Sequence, residues 1–143
     1  VINAVFIPLI TIFGATFEYA LIALSQMQLK GDESLTSVKE IALQNDIPYE
    51  LLAKTMQLLA RAKIVEAVKG PQGGYRLKQD PSKIKMTSFF EIIEGPMGFM
   101  DCSFDSDCEQ IRSCSIRTPI QRINDSIREM FNNISLNDIT RAV

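Results

Sequence analysis

The stretch from residue 37 to residue 77 constrains the fold most, because two short helices and a hairpin follow one another there with few connecting residues. Ser37 and Glu40 have the S-x-x-E spacing of a capping box, in which the serine side chain accepts from the N–H three residues along and the glutamate reaches back. That helix is expected to end near Gln44. A tight turn follows, and Pro48 suits the first position of a second helix, where its missing N–H costs nothing.

The second helix of this pair is expected to run to about Ala62 and to bury one face. The residues predicted to point inward are Leu51, Leu52, Thr55, Leu59 and Ala62. The residues left for solvent or a ligand are Tyr49, Glu50, Lys54, Gln57 and Arg61. Two short helices joined by a tight turn form a helix-turn-helix unit, although any hairpin of two helices has the same pattern.

A Gly-rich turn follows directly and favours a β-hairpin after the helix pair. Residues 64–68 alternate in the manner of a strand, 69–74 form the turn, and 75–77 alternate again. A hairpin in this place is the wing of a winged helix-turn-helix domain. Basic residues flank its tip, where DNA phosphates would lie: Lys69, Arg76 and Lys78. We interpret the glycines as turn residues that supply backbone freedom.

Further helices are expected on both sides of this unit, over residues 16–29, 86–94 and 119–132. The predicted apolar stripe of the first consists of Phe17, Ala20, Leu21, Leu24 and Met27. The last is amphipathic, and a helix outside a complete winged unit is expected to pack on its twin in a second subunit. The sequence therefore predicts a mainly α fold with a small β-hairpin: a winged helix-turn-helix domain joined to a long C-terminal dimerisation helix.

The charge is distributed unevenly along the 143-residue chain, whose formal net charge is −2. Residues 39–85 hold nine lysines and arginines against five acids, whereas five basic residues face seven acids from residue 101 onward. A local basic segment is typical of small proteins that bind nucleic acid. The chain has no histidine, which excludes Ser-His-Asp and Cys-His catalysis. We therefore expect a binding protein and not an enzyme.

Three cysteines, Cys102, Cys108 and Cys114, stand at equal intervals in a polar stretch. Six residues turn a helix through about 240°, so three such side chains cannot share one helical face, and the segment is expected to be a loop around a soft metal centre. An odd number of cysteines disfavours a secreted disulfide scaffold and favours the reducing cytoplasm. No C-x-x-C pair indicates a zinc ribbon. Three reduced thiols without a metal are the simpler alternative.

The first thirteen residues are nearly all apolar. They lack a basic region and a small-residue cleavage signature, so we do not expect a signal peptide. Pro8 and Glu18 interrupt the apolar run well before twenty residues, so we do not expect a membrane span. A buried or partner-covered segment and a leftover stretch before the domain both remain open.

One string makes the chain similar to a known family. Residues 70–77, G-P-Q-G-G-Y-R-L, resemble the wing of the Rrf-two family of winged helix-turn-helix transcriptional regulators, and the intervals between the three cysteines match its iron–sulfur cluster type (IscR/NsrR-like). Shorter matches occur at residues 18–21, 37–42 and 131–136. The resemblance covers roughly residues 11–139.

The resemblance implies a homodimeric regulator of a double-stranded DNA operator, with no membrane partner. It implies a [2Fe-2S] or [4Fe-4S] cluster on Cys102, Cys108 and Cys114 that senses redox, nitric oxide or iron–sulfur status. Arg117 stands where one branch of the family has a histidine ligand, and arginine cannot ligate iron. Glu18 stands where another branch has an aspartate ligand, which makes it the candidate fourth ligand. A glutamate favoured by the first turn of a helix is the alternative.

For DNA contact we expect Tyr49, Lys54 and Gln57 in the major groove and Lys69 and Arg76 on phosphates or in the minor groove. The full set of expected DNA-binding residues is Ser37, Tyr49, Lys54, Gln57, Arg61, Lys69, Gly73 and Arg76. Two departures from the family pattern stand out. Residues 11–15 carry no charge where the family has basic residues, and Ala53 and Lys54 replace a Glu-Gln pair, so the operator sequence is expected to differ.

The domain plan that follows has three parts. Residues 1–95 form the DNA-binding domain, of which 1–13 are an apolar extension; 96–118 form the cysteine loop; and 119–143 form the dimerisation helix and tail. Two other functions remain open: a cluster-free regulator of the same family, controlled by cysteine oxidation or a partner protein, and an interaction module with a degenerate helix-turn-helix.

Overall fold

The structure, a computed structural model, describes residues 14–31, 33–97 and 112–141. These residues form two compact units, one made of residues up to 79 together with those from 139 onward, the other of residues 80–138. The helices are α1 (Ala15–Lys30), α2 (Val38–Asn45), α3 (Tyr49–Arg61), a 3-10 turn (Pro81–Lys83), α4 (Met86–Glu94), α5 (Arg117–Asn132) and α6 (Leu136–Thr140). The strands are β1 (Val65–Val68) and β2 (Gly74–Leu77). The predicted mainly α fold with a small hairpin is confirmed.

Helix α1 packs against α3 in the first unit. Its buried residues are Phe17, Ala20, Ala23, Leu24 and Met27. The prediction was right for four of these and wrong for Leu21, which is half-buried while the smaller Ala23 is enclosed. The helix ends at Gly31, whose φ of 103° suits glycine and whose N–H donates to the Gln28 carbonyl at 3.2 Å.

At the start of α2, one of the two hydrogen bonds of the predicted capping box is formed and the other is not. The Ser37 hydroxyl oxygen accepts from the Glu40 N–H at 3.0 Å, as expected. The Glu40 carboxylate does not complete the box, because it accepts two hydrogen bonds from the Lys30 ammonium at 2.7 and 2.8 Å. A charged donor on the neighbouring helix is a stronger partner for a carboxylate than a neutral backbone N–H.

The turn between α2 and α3 depends on Asp46, which adopts the left-handed conformation with φ of 53°. Aspartate tolerates this region better than most residues. Pro48 is the N-cap residue of α3, one position before the first helical position that the sequence predicted for it. The buried face of α3 consists of Leu52, Thr55, Met56 and Leu59.

Two residues predicted on the inner face of α3 are not there. Leu51 is 47% exposed and Ala62 is half-buried, whereas Met56, which was not predicted, is enclosed. Consecutive residues of a helix are 100° apart, so Leu51 cannot share the centre of a face with Leu52. Met56 lies only about 40° from Leu52 around the helix, so it is enclosed on the same face.

The wing is an antiparallel pair in which Val65 faces Leu77 and Val68 faces Gly74. Thr36 pairs with the other edge of β2, because its N–H and carbonyl exchange 2.9 Å hydrogen bonds with Tyr75. Gly73 is required by space, since a Cβ there would lie 2.2 Å from the Val68 carbonyl oxygen. The wing is thus joined to the strand-like residue that precedes α2.

The second unit pairs α4 with α5. Helix α4 has the predicted bounds, and α5 begins two residues before the predicted start. The ring of Phe90 meets that of Phe131 edge to face, with centroids 6.2 Å apart. The Arg128 guanidinium also pairs with the Glu91 carboxylate at 2.8 Å.

Candidate nucleic-acid interface and cysteine segment

Helix α3 presents a polar arc on the side opposite its buried face. Its four exposed members, here called the α3 arc, are Glu50, Lys54, Gln57 and Arg61. At 3.6 residues per turn, their positions fall within about 60° of the helix circumference. The buried residues of α3 lie on roughly the opposite side, so the first unit holds the arc outward. This matches the predicted exposure of Lys54, Gln57 and Arg61.

An open cleft adjoins the start of α3. It has a volume of about 480 Å³ and is lined by Lys39, Ala42, Leu43, Asp46, Ile47 and Tyr49. Tyr49, one of the expected base-contacting residues, is exposed at its edge, and Leu43 is 74% exposed. Leu43 was not predicted to matter. Leu43 stands four residues after Lys39, and this helical spacing was the sequence signal that could have placed both side chains on one outward face of α2.

The tip of the wing is open to solvent. Lys69 is exposed, as are Gly70, Pro71 and Gln72 beside it. Arg76 differs from the expectation of a free phosphate contact, because its guanidinium lies 3.3 Å from the Glu66 carboxylate directly across the hairpin. Both side chains are partly exposed, and pairs of this kind contribute only about 0–1 kcal/mol, so a phosphate can compete for the arginine.

Two other expected DNA contacts also have structural roles. The Ser37 oxygen caps α2 through the Glu40 N–H, which leaves its hydroxyl hydrogen available as a donor. Gly73 allows the tight turn of the wing by having no side chain. Neither role conflicts with DNA contact, and neither demonstrates it.

Of the candidate metal ligands, Cys102 and Cys108 lie outside the described residues. Cys114 is half-buried with a free thiol, three positions before α5 begins at Arg117. Glu18 is exposed in the first turn of α1. In the described ranges, no three metal-binding side chains come together. As a donor set, three thiols and a carboxylate suit an iron–sulfur cluster, and the free Cys114 thiol is consistent with that use.

Helix α5 carries an apolar stripe with alternating spacings of three and four residues, formed by Ile120, Ile123, Ile127 and Met130, and Ile116 precedes the helix at the same spacing. No residue of α5 is fully buried. Ile116 and Met130 are each 52% exposed and Ile123 is 45% exposed. This spacing is that of helices that pair along a seam, and the described contacts leave much of the stripe uncovered.

No helix within residues 14–31, 33–97 and 112–141 combines the length and the apolar character that crossing a membrane requires.

Comparison with known proteins gives a consistent result. A family model described as "Rrf2: Iron-dependent Transcriptional regulator" matches residues 13–142. A protein of Aquifex aeolicus (strain VF5), assigned as an HTH-type transcriptional regulator, is 31% identical over 131 residues, which are 90% of each chain. The HTH-type transcriptional regulator IscR of Vibrio vulnificus (strain YJ016) is 26% identical over 121 residues, 85% of this chain and 72% of that protein.

A solved structure agrees with the fold. CymR of B. subtilis, described as its global cysteine regulator, superposes with a TM-score of 0.71 at 25% sequence identity, covering 92% of this chain and 97% of the other. The relatives thus include proteins named IscR and proteins named CymR.

Proposed function

The chain belongs to the Rrf2 family of DNA-binding transcriptional regulators, and from that premise we propose how it reads DNA and what it senses. It binds an operator in double-stranded DNA as a homodimer, and it responds to redox state, nitric oxide or iron–sulfur status through an iron–sulfur cluster. Such a regulator works in the cytoplasm, where it meets its operator. Its relatives are regulators and not enzymes. The observation that carries the DNA-reading proposal is the exposed α3 arc.

In this proposal, α3 enters the major groove and the wing lies beside it. The first residues of a reading helix reach base edges, so Tyr49, Lys54 and Gln57 face bases. Arg61 and Lys69 neutralise phosphates, and Arg76 exchanges Glu66 for a phosphate or the minor groove. Ser37 donates its hydroxyl hydrogen to a phosphate, and the missing side chain of Gly73 lets the backbone approach the DNA closely.

The dimer forms through the apolar stripe of α5. Alternating spacings of four and three residues are what two helices need to pair along their length, and side chains about half exposed in one chain gain burial in two. We keep the domain plan that the sequence predicts, in which residues 1–95 read DNA, 96–118 hold the cluster and 119–143 join the subunits. Two reading helices are then available for two half-sites about one DNA turn apart.

In this proposal Cys102, Cys108 and Cys114 of one subunit would hold the cluster, with Glu18 of the other subunit as the fourth ligand. When bound, a cluster with three sulfur ligands and one weaker oxygen ligand supplies an iron site that nitric oxide or oxygen can attack. Glu18 lies in the first turn of α1, and α1 packs against α3. A change in what Glu18 binds is therefore connected through packed helices to the reading helix, which gives a coupling between sensing and DNA affinity.

A cluster-free regulator is the second candidate. The observation that favours it is Arg117, which stands where one branch of the family has its histidine ligand. In that case the free thiols, including Cys114, respond to oxidation, or a partner protein controls the regulator. Iron and acid-labile sulfide in protein prepared without oxygen distinguish the two candidates.

The test of the DNA-reading proposal is Lys54→Ala. Operators are first selected from random duplex DNA with the unaltered protein, and affinity is then measured over a range of salt. Because Lys54 is proposed to contact a base, the variant is expected to lose roughly 5- to 100-fold in affinity for the selected operator and to change its preference at one base pair.

Lys83→Ala is the matched control, since Lys83 is also exposed and the charge change is the same, but it lies outside α3 and the wing. It is expected to retain the base preference. Lys54→Ala binding the same sequences with the same affinity would show that the docking proposal is wrong. A protein that binds no DNA in a salt-dependent way would favour the interaction module.

A further inference from the structure

Glu50 is an acidic residue near the centre of an arc that is otherwise built to approach DNA. It is exposed in the first turn of α3. Its angular position on the helix lies between those of Gln57 and Arg61, with Lys54 at the border of the same arc. The residues on the opposite side of α3 are buried, so the fold fixes which way this part of the helix faces. Any partner of the arc therefore meets the Glu50 carboxylate.

The carboxylate is not neutralised within the described part of the chain. The ion pairs there are Lys30–Glu40, Arg76–Glu66 and Arg128–Glu91. Lys54, four residues after Glu50, has the spacing of a helical ion pair but lies in none of them. The free N–H groups at the start of α3 make an acid acceptable to the helix. They do not explain why it lies in the middle of the arc.

The chemistry of DNA limits what an unpaired carboxylate in this place can bind. Phosphates repel it, so it cannot contribute by contacting the backbone. In the major groove, the donors are the exocyclic amino groups of cytosine and adenine. Adenine presents a donor beside an acceptor, which suits an amide, whereas the lone amino group of cytosine suits an acceptor-only carboxylate.

We propose that Glu50 determines specificity by accepting a hydrogen bond from the N4 amino group of one cytosine in each half-site. The inference rests on the proposed entry of α3 into the major groove, and it adds a residue that selects among sequences by penalising base pairs that do not place a cytosine amino group within reach of the carboxylate. An acid in this position weakens binding to every site that lacks the cytosine, because its lost hydration and the repulsion from phosphates are then uncompensated.

The test is selection of binding sites from random duplex DNA with four proteins: the unaltered chain, Glu50→Gln, Glu50→Ala and the control Glu33→Gln. Glu33 is exposed before α2, and its substitution removes the same charge outside the arc. The unaltered chain is expected to require a C·G pair at one position per half-site. Glu50→Gln is expected to shift that position towards A·T, since glutamine pairs with adenine. Its affinity for the original site is expected to fall by roughly 5- to 100-fold.

Glu50→Ala is expected to lose the preference at that position without acquiring another, and Glu33→Gln is expected to keep it. Selection of the same sequences by all four proteins would overturn the inference. So would tighter binding of both Glu50 variants to every sequence, because the carboxylate would then only repel phosphates. If the unaltered chain binds no DNA, the proposed function itself fails, which is a different result from an unchanged preference in a chain that does bind.

Discussion

At the residue scale, the side chain of Asp138 controls how α6 begins. It accepts from the backbone N–H and the hydroxyl of Ser135, each at 2.8 Å, and these hydrogen bonds hold the Asp138 pKa below its ordinary value. A carboxyl whose pKa is lower in the folded state adds stability above its unfolded pKa of about 3.9 and loses that contribution as pH falls through the folded pKa. Asp138→Asn is therefore expected to lower the thermal midpoint at pH 7 but to approach the unaltered protein in acid.

Thermal unfolding followed by circular dichroism between about pH 2 and pH 7 checks this expectation. Asp80 is a useful control because its pKa is lowered in the same direction by the Ser82 hydroxyl and N–H, at a separate turn. Asp80 should retain its part of the pH dependence in Asp138→Asn. A gap between variant and unaltered protein that stays constant down to the lowest pH would contradict the assigned role of Asp138.

The sequence predicted which side chains are exposed better than it predicted which side chains form ion pairs with one another. The outward residues of α3 follow from helical spacing, so their exposure could be read from the sequence. The partners of Glu40 and Arg76 could not, because Lys30 lies on another helix and the pairing of Arg76 with Glu66 depends on the register of the hairpin. A capping motif and a basic residue at a wing are local patterns, and each competes with ion pairs that only the folded chain brings together.

At the element scale, α5 carries the proposed subunit contact, and Ile123 is the residue that tests it. Ile123→Glu places a charge on the apolar stripe, so it is expected to break the dimer while leaving the second unit folded. Burying an unpaired carboxylate in an interface costs several kcal/mol, which is enough to dissociate most dimers at micromolar concentration. Sedimentation velocity gives the assembly state, and circular dichroism reports the remaining helix.

Gln121→Glu is the matched control, because Gln121 is exposed, lies on the other side of α5 and gains the same charge. It is expected to sediment as the unaltered protein does. A dimer that survives Ile123→Glu would mean that the subunits meet through another surface.

Elements with enough length or a clear stop signal were predictable. Helix α4 has its predicted bounds because Gly95, with φ of 91°, ends it, and α1 and α5 differ from prediction by one or two residues. Helix α6 was missed, since five residues are too few to show a helical period. Its start does carry a signal, because Ser135 and Asp138 have capping-box spacing and form those hydrogen bonds.

At the scale of the whole molecule, sensing and reading are assigned to different parts of one chain. The three proposed cysteine ligands could be named from the sequence, because thiolates bind soft metals, whereas Glu18 was chosen only through the resemblance to the family. No local pattern encodes whether the proposed ligands meet, because Glu18 lies in α1 and Cys114 precedes α5. The exposure of Glu50 was predicted from the sequence, but only the folded chain shows that Glu50 takes part in none of the ion pairs among the described residues.

In the proposed mechanism, the cysteines hold an iron–sulfur cluster and the cluster controls DNA affinity. The most direct measurement is the content of iron and acid-labile sulfide in protein prepared without oxygen, together with operator affinity before and after the metal is removed with a chelator. We expect both iron and sulfide to be bound and affinity to change by roughly 5- to 150-fold, the usual range for coupled sites. Protein that contains neither, and binds its operator equally well with or without chelation, would contradict the claim.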